Sequence, residues 1–433
     1  MRMRWVAIPI LLLCIQAAHA ENDEMARLRA ELEQTRAIVE QLAARLDAME
    51  AAAAATGMAA TSESPPAPAP AATSANAFNP AVSVVLQGSY NAYSKDPGAR
   101  TLPGFVPGDE VGQPNQGFSL GESELNFSAS IDPLFNGSLT MALEDDGEGG
   151  TEIGLEEAYI ETLALPHGVK IKAGRMFPVL GYLNEIHAHA DAFVDRPLPY
   201  QAFLGGDNYV DDGVQLSLLL PTDFYAEIGG GAFRGTGFPA AGADEDGKGA
   251  LTLFARTGGD IGLSQSWVAG LSFLHADAAD RITGNLTFNG TIETCIADAK
   301  YTWAPGGNLA ARYLVLQGEY LHNRTDGSYN GLPYDEDSSG WYAQLVYKLR
   351  PQWKVGYRYS ALNPPEVAAA FSGTTLDHAG HRPRTQSLLL GFDYSEFSSL
   401  RFQYSRDRSG PQTDNIGMLF YTVSMGAHGA HQY

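Results

Sequence analysis

The stretch WYAQLVYKLR, residues 341–350, places apolar or aromatic side chains at odd positions and mostly polar ones at even positions. The run WKVGYRY at 353–359 repeats this alternation, and it occurs earlier in ESELNFSASI at 122–131 and GVKIKAG at 168–174. A period of two is typical of β-strands that have one apolar face. The sequence therefore predicts an all-β fold for the long region 78–433.

Sixteen segments of this region are candidate strands. Their predicted bounds are 81–93, 118–131, 134–145, 153–164, 168–176, 208–219, 223–233, 249–258, 265–275, 292–303, 311–323, 339–349, 352–361, 384–395, 398–407 and 415–426. Long connections are predicted at 94–117, 177–207, 234–248, 276–291, 324–338 and 362–383, and the connections between them are short.

An even strand number with alternating short turns and long loops is typical of outer-membrane barrels. We therefore predict a transmembrane antiparallel β-barrel of about 16 strands, with 14 or 18 as alternatives. A soluble β-sandwich would show the same alternation of residues, but it has no reason to gather its long loops at one end.

The first twenty residues predict secretion. Two arginines precede an apolar run from Trp5 to Ala17, and Ala18-His19-Ala20 is a small-residue cleavage site. This pattern is typical of a signal peptide, because the apolar run is too short to span a bilayer as a helix. We expect residues 1–20 to be removed and the mature chain to begin at Glu21.

Residues 21–50 carry apolar side chains at alternating spacings of three and four, which predicts a coiled coil. Glu24 and Arg29 stand at the offset that joins neighbouring helices of a parallel bundle. The alternative is a lone amphipathic helix. Residues 51–77 are rich in alanine and proline and predict a linker. The short N-terminal α-helical coiled coil would then lie in the periplasm and help to hold a homotrimer together.

Composition excludes other classes of protein. The formal charge is −22, which argues against nucleic-acid binding because that needs a basic surface. Mean hydropathy is −0.16, and after the signal peptide no run of 18 apolar residues could form a membrane-spanning helix. A barrel in outer-membrane lipid stays compatible with these values, since its strands have only one apolar face.

Four segments resemble known Gram-negative outer-membrane proteins. They are LPHGVKIKAGR at 165–175, GYLNEIHAHA at 181–190, YQAFLGG at 200–206 and GAHGAHQY at 426–433. With them the chain resembles porins, loosely the phosphate-selective group, and also predicted outer-membrane proteins that are sometimes labelled TonB-dependent or zinc-regulated receptors. The resemblance implies an outer-membrane channel whose terminal aromatic residue, Tyr433, is read by the barrel-assembly machinery.

The receptor label conflicts with the length of the chain. A TonB-dependent receptor has a folded plug and a barrel of 22 strands. Residues 21–77 read as coiled coil and linker, which leaves no segment for a plug. We therefore favour a porin-like channel, and we keep a metal-linked uptake receptor and a structural tether to the cell wall as alternatives.

The long connection 177–207 is the predicted constriction. This connection joins the fifth and sixth predicted strands. In 16-stranded porins the loop at that place folds into the lumen, so Glu185, Asp191 and Asp195 would face basic side chains of the wall. The predicted basic lumen residues are Lys170, Lys172, Lys348, Lys354, Arg358 and Arg401. Opposed charges across a narrow aqueous gap would select solutes by charge and dipole. The alternative is that the loop lies outside as a solvated rim.

The same loop holds a candidate metal site. In an extended segment, His187, His189 and Asp191 would point the same way and could bind zinc. His428 and His431 form a second pair at the chain end. The alternative is that these imidazoles line a polar pore without binding any metal.

We predict that the chain is not an enzyme. Glu156 and Glu157 are paired acids, but neighbouring residues on a strand are expected to point to opposite faces. No motif with catalytic spacing accompanies them.

Overall fold

The computed structural model describes residues 80–108, 112–145, 150–206, 208–241 and 249–426. The predicted signal peptide at 1–20, coiled coil at 21–50 and linker at 51–77 lie outside the described residues, as do Tyr433, His428 and His431. Those predictions stay predictions.

Strands dominate the described chain. They are β1 (Ala81–Tyr93), β2 (Gly117–Leu120), β3 (Ser123–Ser130), β4 (Phe135–Asp145), β5 (Thr151–Thr162), β6 (Val169–Met176), β7 (Asp211–Leu219), β8 (Tyr225–Phe233), β9 (Ala250–Ile261), β10 (Gln265–Thr283), β11 (Leu286–Trp303), β12 (Tyr313–Tyr329), β13 (Leu332–Arg350), β14 (Trp353–Asn363), β15 (Arg384–Ser395), β16 (Ser398–Arg408) and β17 (Asp414–Gly426).

Helical segments are short and lie in the connections. The α-helix α1 spans Leu198–Phe203, and 3-10 helices occur at Pro97–Ala99, Pro166–Gly168, Leu183–Glu185, Ala188–Ala190, Pro305–Gly307 and Ala369–Phe371. Among the residues that the structure describes, no helix has the length and apolar character needed to cross a membrane.

The sheet closes on itself. From β3 to β17 each strand pairs antiparallel with the next, and β1 pairs with β17, with Tyr90 opposite Leu419. Strands β2 and β3 both pair with β1 and share one position, so the seventeen strands form a barrel of sixteen. The strand is interrupted between β2 and β3 at Gly121, where an added Cβ atom would lie 2.8 Å from the Cβ atom of Gln87. The closed all-β barrel predicted from the alternation is confirmed.

The outer face of the barrel is apolar, and charged and amide side chains point inward. On β16, Arg401 and Gln403 point inward with 2% and 0% of their surface exposed, whereas Phe402 points outward and is 46% exposed. A soluble protein buries its apolar face instead. Exposed aromatic side chains lie where strands begin at the short-turn end, namely Phe135, Tyr225, Trp267 and Trp353. This distribution matches the apolar band and aromatic girdle of a membrane barrel.

The prediction of two long loops is wrong. Residues 276–291 and 324–338 continue as strands, so β10–β11 and β12–β13 are extended hairpins. The second hairpin turns at Asn330 and Gly331, whose φ angles are 49° and 79°. Asparagine followed by glycine favours this left-handed two-residue turn, and the dipeptide was the sequence signal for a hairpin.

Candidate functional site

Residues 177–206 and 208–210, in the connection between β6 and β7, lie inside the barrel. Leu180, Leu183, Leu198 and Tyr200 are all buried, with at most 2% of their surface exposed. Helix α1 packs against the inner side of β12, β13 and β14. These apolar side chains join inward-facing residues of the wall in one hydrophobic cluster, which holds the loop against that side of the barrel.

Glu319, on β12, fixes the loop by accepting four hydrogen bonds. Its carboxylate accepts the hydroxyl of Tyr200 at 2.9 Å, the backbone N–H groups of Leu183 at 3.1 Å and Tyr182 at 3.2 Å, and the hydroxyl of Tyr342 at 2.7 Å. Burial and the adjacent carboxylate raise the pKa of the Tyr200 phenol well above its ordinary value, so this hydroxyl stays a donor.

Acidic groups of the loop contact basic groups of the wall directly. Asp195 pairs with Arg358 of β14, and it also accepts a hydrogen bond from Gln403 at 2.7 Å. Glu185 lies 2.5 Å from Arg256 of β9. The sequence predicted such charges on opposite sides of an aqueous gap, whereas these two pairs are in contact. Arg256 was missed, although it lies in the inward phase of its strand.

The four predicted lysines also face carboxylates. Lys348 and Lys354 lie 3.5 Å and 3.1 Å from Asp393. On the far side of the barrel, Lys170 lies 2.5 Å from Glu161, and Lys172 lies near Glu157.

Acidic and basic side chains line opposite sides of the barrel. We call the side formed by β3 and β5 the acidic wall and the side formed by β13 to β16 the basic wall. Strand β5 is fourth and β14 thirteenth around the ring of sixteen, nine positions apart one way and seven the other. Arg401 adds a buried guanidinium to the basic wall, donating to the backbone oxygen of Asp191 at 2.6 Å. The acidic wall holds Glu124, Glu156 and Glu157.

His187 and His189 of the loop meet this acidic wall. One ring nitrogen of His187, Nδ1, lies 3.4 Å from Glu124 and 3.2 Å from Glu156, and the other, Nε2, lies 3.2 Å from Glu157. Nδ1 of His189 contacts the second oxygen of Glu124. Burial alone would lower the pKa of His187, but the three carboxylates outweigh it and raise the pKa well above its ordinary value.

A β-bulge brings two neighbouring acids to this one site. The pairing of β4 with β5 shifts between Thr140 and Met141, so Glu156 is an extra residue in β5. A bulge turns the extra side chain away from strict alternation. Glu156 and Glu157 therefore both contact His187, and the expectation that they point to opposite faces is wrong.

Asp191 does not join the two histidines. The segment is not extended here, because residues Ala188–Ala190 form a 3-10 helix. The carboxylate of Asp191 instead lies 3.3 Å from Arg196, in the same loop. Glu124 takes the place that the sequence assigned to Asp191. It stands 65 residues before His189 in the chain, so it gave no local signal.

The closed barrel, apolar outside and crossed inside by a loop, is the fold of outer-membrane porin-type barrels. No protein-family model matches the chain. An uncharacterised protein of Aquifex aeolicus (strain VF5) is 28% identical over 401 residues, covering 83% of this chain and 81% of the relative.

Solved structures share this fold at low sequence identity. The outer membrane channel DcaP of Acinetobacter baumannii is similar with a TM-score of 0.52 and 12% identity, over 79% of this chain and 96% of that one. In-vitro folded OmpT, an outer membrane protein of Vibrio cholerae in its trimer form, is similar with a TM-score of 0.50 and 12% identity, over 80% and 99% of the two chains. The porin-type barrel expected from the sequence resemblance is confirmed.

Proposed function

We propose that this chain is a porin-like channel of the Gram-negative outer membrane that passes small solutes or ions. The observation that carries the proposal is the inverted polarity of a closed barrel. Leucine and aromatic side chains cover the outer face, while the lumen holds charged and amide side chains such as Arg401 and Gln403. Lipid stabilises the first surface and water the second. The likeness to the channel DcaP supports the same function.

The loop at 177–207 is the proposed constriction. Its position inside the barrel supports this role, because a segment packed against the wall reduces the cross-section of the lumen that is open to solutes. A cavity of about 140 Å³ lies beside the loop. It is lined by charged and amide side chains that include Arg100, Asp191, Asp195, Arg196 and Gln201. Acidic and basic groups around one narrow space favour the passage of polar solutes.

The two charged walls supply the proposed selectivity. The pairs Glu185–Arg256 and Asp195–Arg358 are in contact, so their fields largely cancel at a distance. The transverse field would come instead from the excess charge of each wall. On the basic side Lys348 and Lys354 share the one carboxylate of Asp393, and Arg401 donates to a backbone oxygen. On the acidic side the three carboxylates of β3 and β5 face His187 and Lys172. The proposed lumen groups therefore act as walls, not as isolated pairs.

Assembly and location complete the proposal. The trimer form of the similar OmpT supports a homotrimer, which the predicted coiled coil at 21–50 would reinforce in the periplasm. We propose insertion by the barrel-assembly machinery after removal of residues 1–20. Deleting residues 21–50 is expected to leave the barrel folded and to weaken the trimer. Cross-linking and native mass measurement of the two chains test this.

The two alternatives are less well supported. A TonB-dependent receptor has 22 strands and a plug, whereas this barrel has sixteen strand positions. A tether would depend on residues 21–50, which lie outside the described part of the chain. Catalysis has no support from the loop contacts, in which the acidic groups are held by basic ones.

Liposome swelling with uncharged sugars of graded size tests the proposed function. Vesicles that contain the refolded mature protein should swell in small sugars and stop swelling above a size limit. Empty vesicles and vesicles with heat-unfolded protein are the controls. Equal swelling of all three preparations in the smallest sugar would contradict a diffusion channel.

A further inference from the structure

We propose that Glu124, His187 and His189 form a binding site for a zinc-like divalent cation between the constriction loop and the barrel wall. Nothing in this proposal requires the barrel to conduct. It concerns a site that joins the loop, which carries both histidines, to β3, which carries the glutamate.

Geometry is the first support. One ligand atom from each of the three side chains can be chosen so that all lie within 4.8 Å of one another. The Nδ1 atom of His187 lies 3.4 Å from one oxygen of Glu124, and the Nδ1 atom of His189 contacts the other. Zinc binds imidazole nitrogen and carboxylate oxygen at about 2.0–2.2 Å, so small rotations of these side chains would bring them into its coordination shell.

Burial is the second support. The side chains of Glu124 and His189 are 3% and 1% exposed, and that of His187 is 19% exposed. Packing therefore holds the three groups together, with the ring of Phe177 edge-on to His187 at 5.4 Å between centroids. A preformed ligand set loses little conformational entropy when an ion binds.

Charge is the third support. Glu156 and Glu157 lie next to the proposed ligands, and Lys172 lies 3.3 Å from Glu157. Three carboxylates thus meet one lysine and two imidazoles at a largely buried place. A divalent cation would displace the proton that these carboxylates favour on His187 and would balance their negative charge in its place. The two outer carboxylates could orient the imidazoles as hydrogen-bond acceptors. Two imidazoles with one carboxylate favour zinc or a similar borderline metal over magnesium or calcium.

The ion would clamp the loop in the lumen. His187 and His189 follow Tyr182 and Leu183, whose backbone N–H groups donate to Glu319 on β12. The loop would then be fixed to two sides of the barrel. Binding to the folded state alone stabilises it by an amount that grows with the concentration of free ion. Zinc should therefore raise the unfolding temperature of the protein.

Titration calorimetry with Zn²⁺ on the refolded mature protein tests the site. All variants carry His428→Ala and His431→Ala, which removes the histidine pair at the chain end. The expected result is one saturable site per chain. Glu124→Gln, His187→Ala and His189→Ala should each weaken zinc binding at least about tenfold, the scale of losses typical even for outer-shell groups.

Two matched controls separate this site from its neighbours. Asp191→Asn should leave zinc affinity unchanged, because Asp191 faces Arg196. His322→Ala removes a half-exposed histidine beside Asp337 on the extended hairpin and should also have no effect. Heat-modifiable migration in gels verifies that each variant is folded.

The result that overturns the proposal is zinc binding that is absent in the folded parent or unchanged in the doubly substituted His187→Ala, His189→Ala protein. If these variants do not fold, X-ray absorption by zinc bound to the parent protein that carries His428→Ala and His431→Ala decides. Two imidazole nitrogens and a carboxylate oxygen at about 2.0–2.2 Å from the ion are expected, and a coordination shell without imidazole would refute the site. Conductance plays no part in these readouts, so they fail or succeed independently of the channel.

Discussion

The hydroxyl of Tyr200, in the helix of the loop between β6 and β7, donates a hydrogen bond to Oε2 of Glu319 on the barrel wall at 2.9 Å. Both side chains are fully buried, as is Tyr342, which donates to the other carboxylate oxygen at 2.7 Å. A buried carboxylate needs such donors, because water is not available to it there. The same hydrogen bonds therefore satisfy the buried carboxyl group and hold the loop in position.

Glu319→Gln should destabilise the barrel and free the loop. In the glutamine variant an amide nitrogen replaces one carboxylate oxygen and faces two hydrogen-bond donors. Each donor left unpaired costs about 1–3 kcal/mol of folding stability. The midpoint of heat-modifiable migration in gels should fall, and open-channel current should become noisier. Glu293→Gln is the control, since Glu293 is 48% exposed on the neighbouring strand β11. Equal midpoints for the two variants would show that Glu319 does not fix the loop.

Much of the barrel could be predicted from the sequence. The alternation that sets the strands is local, so the bounds of β1 and β15 are as predicted, at 81–93 and 384–395. The inward phase of Arg358 and Arg401 was predicted for the same reason. The hairpins at 284–285 and 330–331 were missed because the strand segments that lead into them are rich in polar residues and do not show the regular alternation.

The site was harder to predict, since it depends on contacts between distant segments and on local breaks in regular geometry. The 3-10 helix at Ala188–Ala190 separates Asp191 from the histidines. The bulge at Glu156 breaks the rule of opposite faces. Both follow from how the loop packs on the wall, and periodicity within one segment does not contain that information.

Neutralising opposite walls should shift ion selectivity in opposite directions. Lys348→Gln removes a positive charge from β13, and Glu161→Gln removes a negative one from β5. In water the Coulomb energy between a unit charge and an ion about 8 Å away is about 0.5 kcal/mol. Loss of that energy changes the permeability ratio of cation to anion about twofold. The reversal potential in a KCl gradient should move towards cations for the first and towards anions for the second. Shifts of the same sign would contradict the two-wall description.

An arginine substituted on the outer face should lower folding stability by an amount that depends on its depth in the membrane. Leu271, in the barrel part of β10, is 66% exposed, and Leu332, at the tip of the extended hairpin, is 45% exposed. Leu271→Arg should cost about 2–4 kcal/mol of folding stability in lipid vesicles, whereas Leu332→Arg should cost about 0–1 kcal/mol. Urea unfolding in vesicles, followed by heat-modifiable migration, measures both. Similar costs would indicate that Leu271 does not face lipid.

Single-channel conductance in a planar bilayer tests the central claim most directly. The refolded mature protein is compared with a variant in which residues 183–203 are replaced by a short glycine–serine linker. We expect stepwise conductance from the unmodified protein and larger steps from the variant, because the loop narrows the lumen. Steps of equal size would contradict the constriction. Silence from unmodified protein that is folded and inserted would contradict the channel itself.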